Sequence, residues 1–473
     1  MTRERSAYEE NFRDHLGNVT PDGSRLKIRP RKPRGALHRA RVGVSWLLLA
    51  ILFGGPFVKI NGHPLLLLNI IERKFVLFGV PFWPQDLYLF LLVVLTIVVF
   101  VVLFTSIFGR IWCGWACPQT IFLEMVFRKI EYLIEGDAVQ QRRLDKGDWN
   151  GTKIMKKGVK HSIYFALSFL IANTFLAYVI GIEQLWVIVT DPPSQHLGGL
   201  FSITIFSLLF YGVFSRFREQ ACIIACPYGR WQSVMVNRET VAVTYDYKRG
   251  EPRGKFRKGG ELLEGHGDCV ECRQCVQVCP TGIDIRNGIQ MECVNCTACI
   301  DACNEVMDRV DRPHGLIRYS SLSRIEDGRQ KVFTPRTMGY AAVLLVLLAT
   351  VIVLFSTRAD VQAVILREPG RLYNELSDGR LSNFYSIKIF NKTFDEIPVE
   401  VRLDTPAEGE LVFLGDIASV QAQAIREGRF YVAMPIRILS AGRNDVSFSV
   451  YSGDELIYQV SSSFLAPHDV GSE

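Results

Sequence analysis

Long uncharged apolar runs alternate with densely charged stretches along this chain of 473 residues. Five runs are long enough to cross a bilayer, which takes about 20 residues rising roughly 1.5 Å each. They are expected near Val42–Ile60, Leu87–Phe108, Ser162–Ile182, Gly199–Phe217 and Met338–Phe355. Leu87–Phe108 carries no charge, whereas the fourth run already contains Arg216. Gly54, Gly55 and Pro56 predict a kink or a close helix contact in the first. Past residue 360 the period shortens to two, as in FYSIKIF, VEVRL and DVSFSVYS, with turn-prone NKTFDE, TPAEGE, SAGRND and SGDE between strands. Such spacing predicts an antiparallel immunoglobulin-like β-sandwich.

Net charge is only +6, but its distribution is informative. Lys and Arg number eleven in residues 1–41, ten in 109–160, two in 61–86 (Arg73 and Lys74) and none in 183–198. They return between Arg216 and Lys258. Because basic loops stay inside, the N-terminus and residues 218–336 are expected in the cytoplasm and residues 360–473 outside. Topology explains the basic residues better than a nucleic-acid partner does. The first 41 residues are too long and too charged for a cleavable signal, so the first span reads as a retained anchor. The expected organisation is therefore a basic N-terminus (1–41), a four-span membrane domain (42–217), a cytoplasmic region (218–336), a fifth span (337–357) and the β domain (360–473).

Smaller features have plainer readings. The outer loop 61–86 places Phe82 and Trp83 beside two prolines, as an interfacial segment would, with Glu72, Arg73 and Lys74 as headgroup contacts. Residues 241–268 are basic and glycine-rich. They read as a flexible linker, or alternatively as a loop that holds a cofactor phosphate or docks the hydrophilic region on the membrane. His63 and His196 read as solvated loop residues, and Asp191-Pro192-Pro193 as a turn.

Eight of the twelve cysteines form two runs of one pattern: Cys269, Cys272, Cys275, Cys279 and Cys293, Cys296, Cys299, Cys303. This C-x2-C-x2-C-x3-C spacing is that of bacterial two-cluster ferredoxins, in which the fourth thiolate crosses to the other cluster. It predicts a domain at about 260–312 holding two [4Fe–4S] clusters. One would take Cys269, Cys272, Cys275 and Cys303, the other Cys293, Cys296, Cys299 and Cys279. A structural zinc site would favour four ligands in two pairs. The second run ends Cys303-Asn304 where the first ends Cys279-Pro280, so the cluster at Cys303 is expected to be the more exposed.

The other four cysteines repeat a shorter motif after the second and fourth spans: Cys113-x3-Cys117-Pro118 and Cys222-x3-Cys226-Pro227. The repetition reads as a duplicated two-span unit that brings both motifs to one membrane face. A helical segment would put both sulfurs of a motif on one side. Proline favours the first helical position, so Cys117 and Cys226 are expected at helix N-termini, where the dipole stabilises thiolates. Soft thiolates there suit monovalent copper or electron exchange. Small buried apolar residues are the plainer alternative, and a third iron–sulfur site lacks the usual spacing.

WCGWACPQ at 112–119, ACIIACPYGR at 221–230, YDYKRGEPRGK at 245–255, both four-cysteine runs and the outer β domain resemble the CcoG/FixG/RdxA family over essentially the whole length. The resemblance implies a bacterial inner-membrane cupric reductase that converts Cu(II) to Cu(I) for the cbb-type cytochrome c oxidase. Copper would be substrate, and a copper chaperone or exporter and oxidase subunits would be partners, with a homodimer left open. It also implies that Cys113, Cys117, Cys222 and Cys226 are the redox or copper positions. A quinol dehydrogenase-like subunit and a non-enzymatic assembly scaffold remain as alternatives.

Overall fold

The computed structural model describes residues 27–467 except 61, 71–73, 78, 83–85, 255–264, 330, 332, 371 and 416–417. Trp83, Glu72, Arg73 and the basic residues before Lys27 lie outside the described residues. The described chain forms two compact units, one holding residues up to Leu67 with Leu92–Leu348, the other Leu68–Leu91 with Ala349 onward.

Among the described residues, five helices are long and apolar enough to cross a membrane: Ala36–Phe57, Leu87–Phe108, Gly151–Ile180, Leu197–Phe217 and Pro335–Ser356. These are the five anticipated segments. The third begins eleven residues earlier than expected, because Asn150 caps it by accepting from the Lys153 amide. The apolar window of Pro335–Ser356 is 0% buried by protein and that of Leu87–Phe108 6%, so lipid must cover them. No kink forms at Gly54-Gly55-Pro56. The helix ends at Gly54 and a tighter turn, Gly55–Phe57, follows. The close contact is real: a Cβ on Gly55 would lie 2.1 Å from the Tyr178 hydroxyl.

Between the spans lies a polar-edged helix, Pro118–Ile121 and Arg128–Ile134 joined by a π-helical stretch, Phe122–Phe127. Phe127 stacks on Phe214 at 4.6 Å and meets Tyr164 edge-on at 4.7 Å. The Tyr164 hydroxyl donates to the Phe127 carbonyl at 3.0 Å. This packing anchors the segment that follows Cys117.

Residues 241–254 are not a linker. VAVTY supplies the strand Ala242–Tyr245, which pairs antiparallel with Ile317–Ser320 and is buried throughout. Alternation of β-branched and polar residues made a strand the better solution. Val243 and Tyr245 share an apolar core with Cys269, Cys275, Ile300 and Met307. The segment between the first two spans is also structured. It forms short strands, Lys59–Ile60 with His63–Pro64 and Lys74–Leu77 with Val80–Phe82, because aromatic and β-branched residues there can pair across strands. A further helix, Ile182–Thr190, occupies the loop after the third span.

In the second unit the strands build an immunoglobulin-like sandwich. Glu410–Phe413, Ile425–Pro435, Arg380–Asn391 and Val361–Arg367 lie side by side in that order. A second sheet runs Glu400–Thr405, Gly442–Ser452, Glu455–Ala466. Tyr385, Phe430, Phe448 and Phe464, each fully buried, fill the space between the sheets. All twelve cysteines are unpaired, so burial alone holds the sandwich.

Candidate functional site

Both short cysteine motifs are shaped by the proline that follows them. Proline disfavours the helical region for the residue before it. Cys117 (φ −62, ψ 124) and Cys226 (φ −74, ψ 114) are accordingly extended and cap the helices starting at Pro118 and Pro227. Cys113 lies in the preceding helix, Ile111–Trp115, and Cys222 in a π turn, Ala221–Ala225. The two sulfurs of a motif thus belong to different elements, not to one helical face as the spacing of four had indicated. Both motifs nevertheless meet. Burial pushes Cys222 up to about 12, and charge on Cys117, Cys113 or Cys226 would oppose its ionisation further. Cys113 is raised as well, first by burial, with the Arg110 guanidinium working against the shift. Its thiol donates to Gln232 Oε1 at 3.7 Å.

The two long runs wind alike. In each, the residues flanking the second cysteine are left-handed: Glu271 (φ 50) and Arg273 (φ 55), Asn295 (φ 53) and Thr297 (φ 67). Four non-glycine residues in this costly region, at matching positions, fold each loop around a hollow. One small cavity is walled by Cys269, Cys272, Cys275 and Cys303 with Tyr245, Met307 and Leu316. The other is walled by Cys279, Cys293, Cys296 and Cys299 with Val243 and Ile283, and Cys275 borders it too. Each cavity thus carries the four cysteines that the crossing arrangement would group, with Cys275 bordering both. Cys303 sits inside the helix Ala298–Arg309, so no turn follows it as one follows Cys279-Pro280. Cys272 in the same cavity is exposed.

The donor chemistry fits iron–sulfur clusters. Burial pushes Cys275, Cys293 and Cys303 up to about 12 and Cys296 up to about 11. Thiolates so disfavoured need a metal charge beside them. A single zinc would draw four sulfurs to about 4 Å from one another, given Zn–S bonds of about 2.3 Å. Among the described residues no group of three or more His, Cys, Asp or Glu side chains is set to hold one ion. His63 and His196 line neither cavity, and His196 pairs with Asp191 at 3.0 Å.

The two cysteine sets adjoin. Cys113 belongs to one buried cluster with Cys296, Val278 and Val294, against which Cys299 packs. A Cβ on Gly114 would lie 2.4 Å from the Val294 carbonyl oxygen and 2.8 Å from that of Asn295, so only glycine admits this approach. Trp115 Nε1 donates to the Tyr319 hydroxyl at 2.9 Å, which donates to the Asn295 carbonyl at 2.8 Å. Two buried arginines, both counted above only as topology signals, tie the join. Arg41 Nε donates to the Gly114 carbonyl at 2.6 Å, and Arg110 donates to the Met291 carbonyl. The segment before the first span also straps the cluster region. Asp301 accepts from the Leu37 and His38 amides at 3.2 and 2.7 Å, and the Arg31 amide donates to the Gln277 carbonyl at 2.8 Å. Gly114 in WCGWAC was the one legible signal for this contact.

Spans, paired cysteine cavities and β-sandwich together define a multi-pass membrane iron–sulfur protein. The family comparisons agree with that class. Residues 217–322 match a 4Fe-4S dicluster domain, 90–135 a 4Fe-4S binding domain, and 351–467 the IG-like fold at the C-terminus of FixG. The chain is 35% identical to Protein RdxA of Cereibacter sphaeroides over 404 residues, covering 81% of this chain and 83% of that one. It is 34% identical to Protein RdxB of the same organism over 413 residues, 84% and 86% of the two chains. Against the nitrogen fixation protein FixG of Rhizobium meliloti it is 35% identical over 312 residues, 63% and 58%. A crystal structure of a FixG-related protein from Vibrio parahaemolyticus covers 23% of this chain and 97% of its own, at 16% identity and a TM-score of 0.20. The chain belongs to the FixG/RdxA family.

Proposed function

We propose that this protein is a cupric reductase of the bacterial inner membrane, converting Cu(II) to Cu(I) for assembly of a cbb-type oxidase. The N-terminus and the cysteine-rich region would face the cytoplasm and the immunoglobulin-like domain the periplasm. Cys269, Cys272, Cys275 and Cys303 would hold one [4Fe–4S] cluster, and Cys279, Cys293, Cys296 and Cys299 the other. When bound, such clusters store and pass single electrons, the number one Cu(II) takes up.

The observation that carries the proposal is the contact of Gly114 with the Val294–Asn295 backbone, which brings Cys113 into one buried cluster with Cys296. Cys113, Cys117, Cys222 and Cys226 supply the soft donors that favour Cu(I) over Cu(II), so binding itself assists reduction. Cys113 and Cys222 shed their protons as copper binds. Arg110, which favours the ionised form of both, stabilises those thiolates. The test is serine at Cys113 or Cys226. Both variants should keep full iron content and lose copper reduction, and wild-type rates in both would overturn the proposal.

A second reading has one observation in its favour: the 4Fe-4S binding domain match covers Cys113 and Cys117. On it, the four membrane-edge cysteines hold a third cluster. Iron analysis separates the two readings, at about eight or about twelve atoms per chain with four per cube.

A further inference from the structure

Charged side chains are buried beside the spans in a place the copper chemistry does not use. Lys27, Glu131, Asp145, Lys157, Lys160, Arg216 and Arg218 line an open cleft of about 1440 Å³. Its roof comes from where two spans end: His161 and Tyr164 on Gly151–Ile180, Tyr211 and Ser215 on Leu197–Phe217. The cleft therefore opens at the level where chain leaves hydrocarbon.

Its charges are paired but unequal. Lys157 reaches Glu135 and Asp145, both at 2.8 Å, and Lys160 reaches Glu135 at 2.7 Å and Glu131 at 3.5 Å. Arg218 pairs with Glu131, and Lys27 and Arg29 with Asp145. The adjoining Arg128 is shared by Glu124 and Glu219. Among the described residues, seven cations, Arg216 included, thus meet five carboxylates. Lys160 and Arg218, both paired, are 4% exposed, whereas the unpaired Arg216 is exposed. Arg218 Nε is also buried with no hydrogen-bond partner among the described residues. Arg218, which lines the cleft, is held at φ 52, ψ −122, a conformation rare outside glycine.

We infer that the cleft binds a phosphate-bearing anion, with the headgroup of an anionic phospholipid as the source its position favours. Two surplus positive charges match one phosphate group, and Arg218 Nε and Arg216 supply unspent donors. Tyr211, which lines the cleft, is an amphipathic residue of the kind that sits at headgroup level.

The test uses the full chain, delipidated in detergent and offered phosphatidylglycerol, phosphatidylcholine or inorganic phosphate, with binding read by native mass spectrometry and thermal shift. Arg216→Gln is the principal variant, because Arg216 is exposed and its loss breaks no ion pair described here. Lys157→Gln is the second. Wild type should retain phosphatidylglycerol in preference to phosphatidylcholine, and each variant should weaken retention about five-fold. Stabilisation by inorganic phosphate, lost in Arg216→Gln and without lipid preference, supports the anion site with a soluble source. Equal retention of both lipids together with no response to phosphate overturns the inference. So does phosphatidylglycerol binding unchanged in both variants.

Discussion

Replacing Gly114 by alanine puts a methyl group 2.4 Å from the Val294 carbonyl oxygen, where ordinary contact begins at about 3.4 Å. The obstructing atoms are backbone, so no side chain can swing aside. The helix Ile111–Trp115 and the loop at Val294–Asn295 must part by about 1 Å. Overpacking of this kind costs about 1–3 kcal/mol. Neither cavity is lined by Gly114, so iron should load fully. A displacement of about 1 Å between reacting partners can cost about 100-fold in rate. Gly114→Ala should therefore keep wild-type iron and acid-labile sulfide, unfold at a lower temperature, and reduce Cu(II) about 100-fold more slowly. The assay is anaerobic Cu(I) formation followed with a colorimetric chelator, alongside iron analysis of the same sample. Wild-type copper reduction in a folded variant would refute the idea that this contact couples the two cysteine sets.

Three further outcomes are expected. Cys303→Ser and Cys279→Ser should each lower iron from about eight to about four atoms per chain, because each removes a wall of a different cavity. Equal and complete loss in both would mean the cavities do not load separately. Burial favours protonation of Asp145, but Lys157, Lys27 and Arg29 prevail and hold its carboxyl below the ordinary 3.8. That stabilisation is complete above the ordinary value and is lost as pH falls below it. Asp145→Asn should thus unfold more easily at pH 7, by about 1 kcal/mol for a partly solvated group, with the difference fading only as pH falls well below 3.8. In the second unit, Asp86 holds Lys392 at 2.7 Å and Arg358 at 2.9 Å, and all three are buried. Asp86→Ala strands two cations and should cost about 3–5 kcal/mol in chemical denaturation, and an unchanged midpoint would contradict the buried pairing.

The fold was largely legible because its signals are long or repeated. Uncharged runs such as Leu87–Phe108 admit no soluble alternative, and the alternation in DVSFSVYS fixes which face of Gly442–Ser452 is buried. The eight-cysteine spacing likewise anticipated which residues wall each cavity. Local rules misled where a neighbour decided the outcome. Four-residue spacing implied one helical face for Cys113 and Cys117, but Pro118 forces Cys117 out of the helix. Glycine and basic residues made 241–254 look like a linker, although its partner strand at Ile317–Ser320 lies some 70 residues away. Arg41 and Arg110 read as topology signals, since nothing local says that an arginine beside a span will turn inward to a carbonyl.

The central claim is that electrons held by the paired cysteine cavities reach copper at the membrane-edge thiols. Electron paramagnetic resonance on anaerobically purified, dithionite-reduced protein, freed of excess reductant and then mixed with Cu(II), tests it in one sample. The account predicts that the reduced-cluster signals disappear and that Cu(I) forms in proportion, one copper per electron. Persistent cluster signals beside an unchanged Cu(II) spectrum would contradict it.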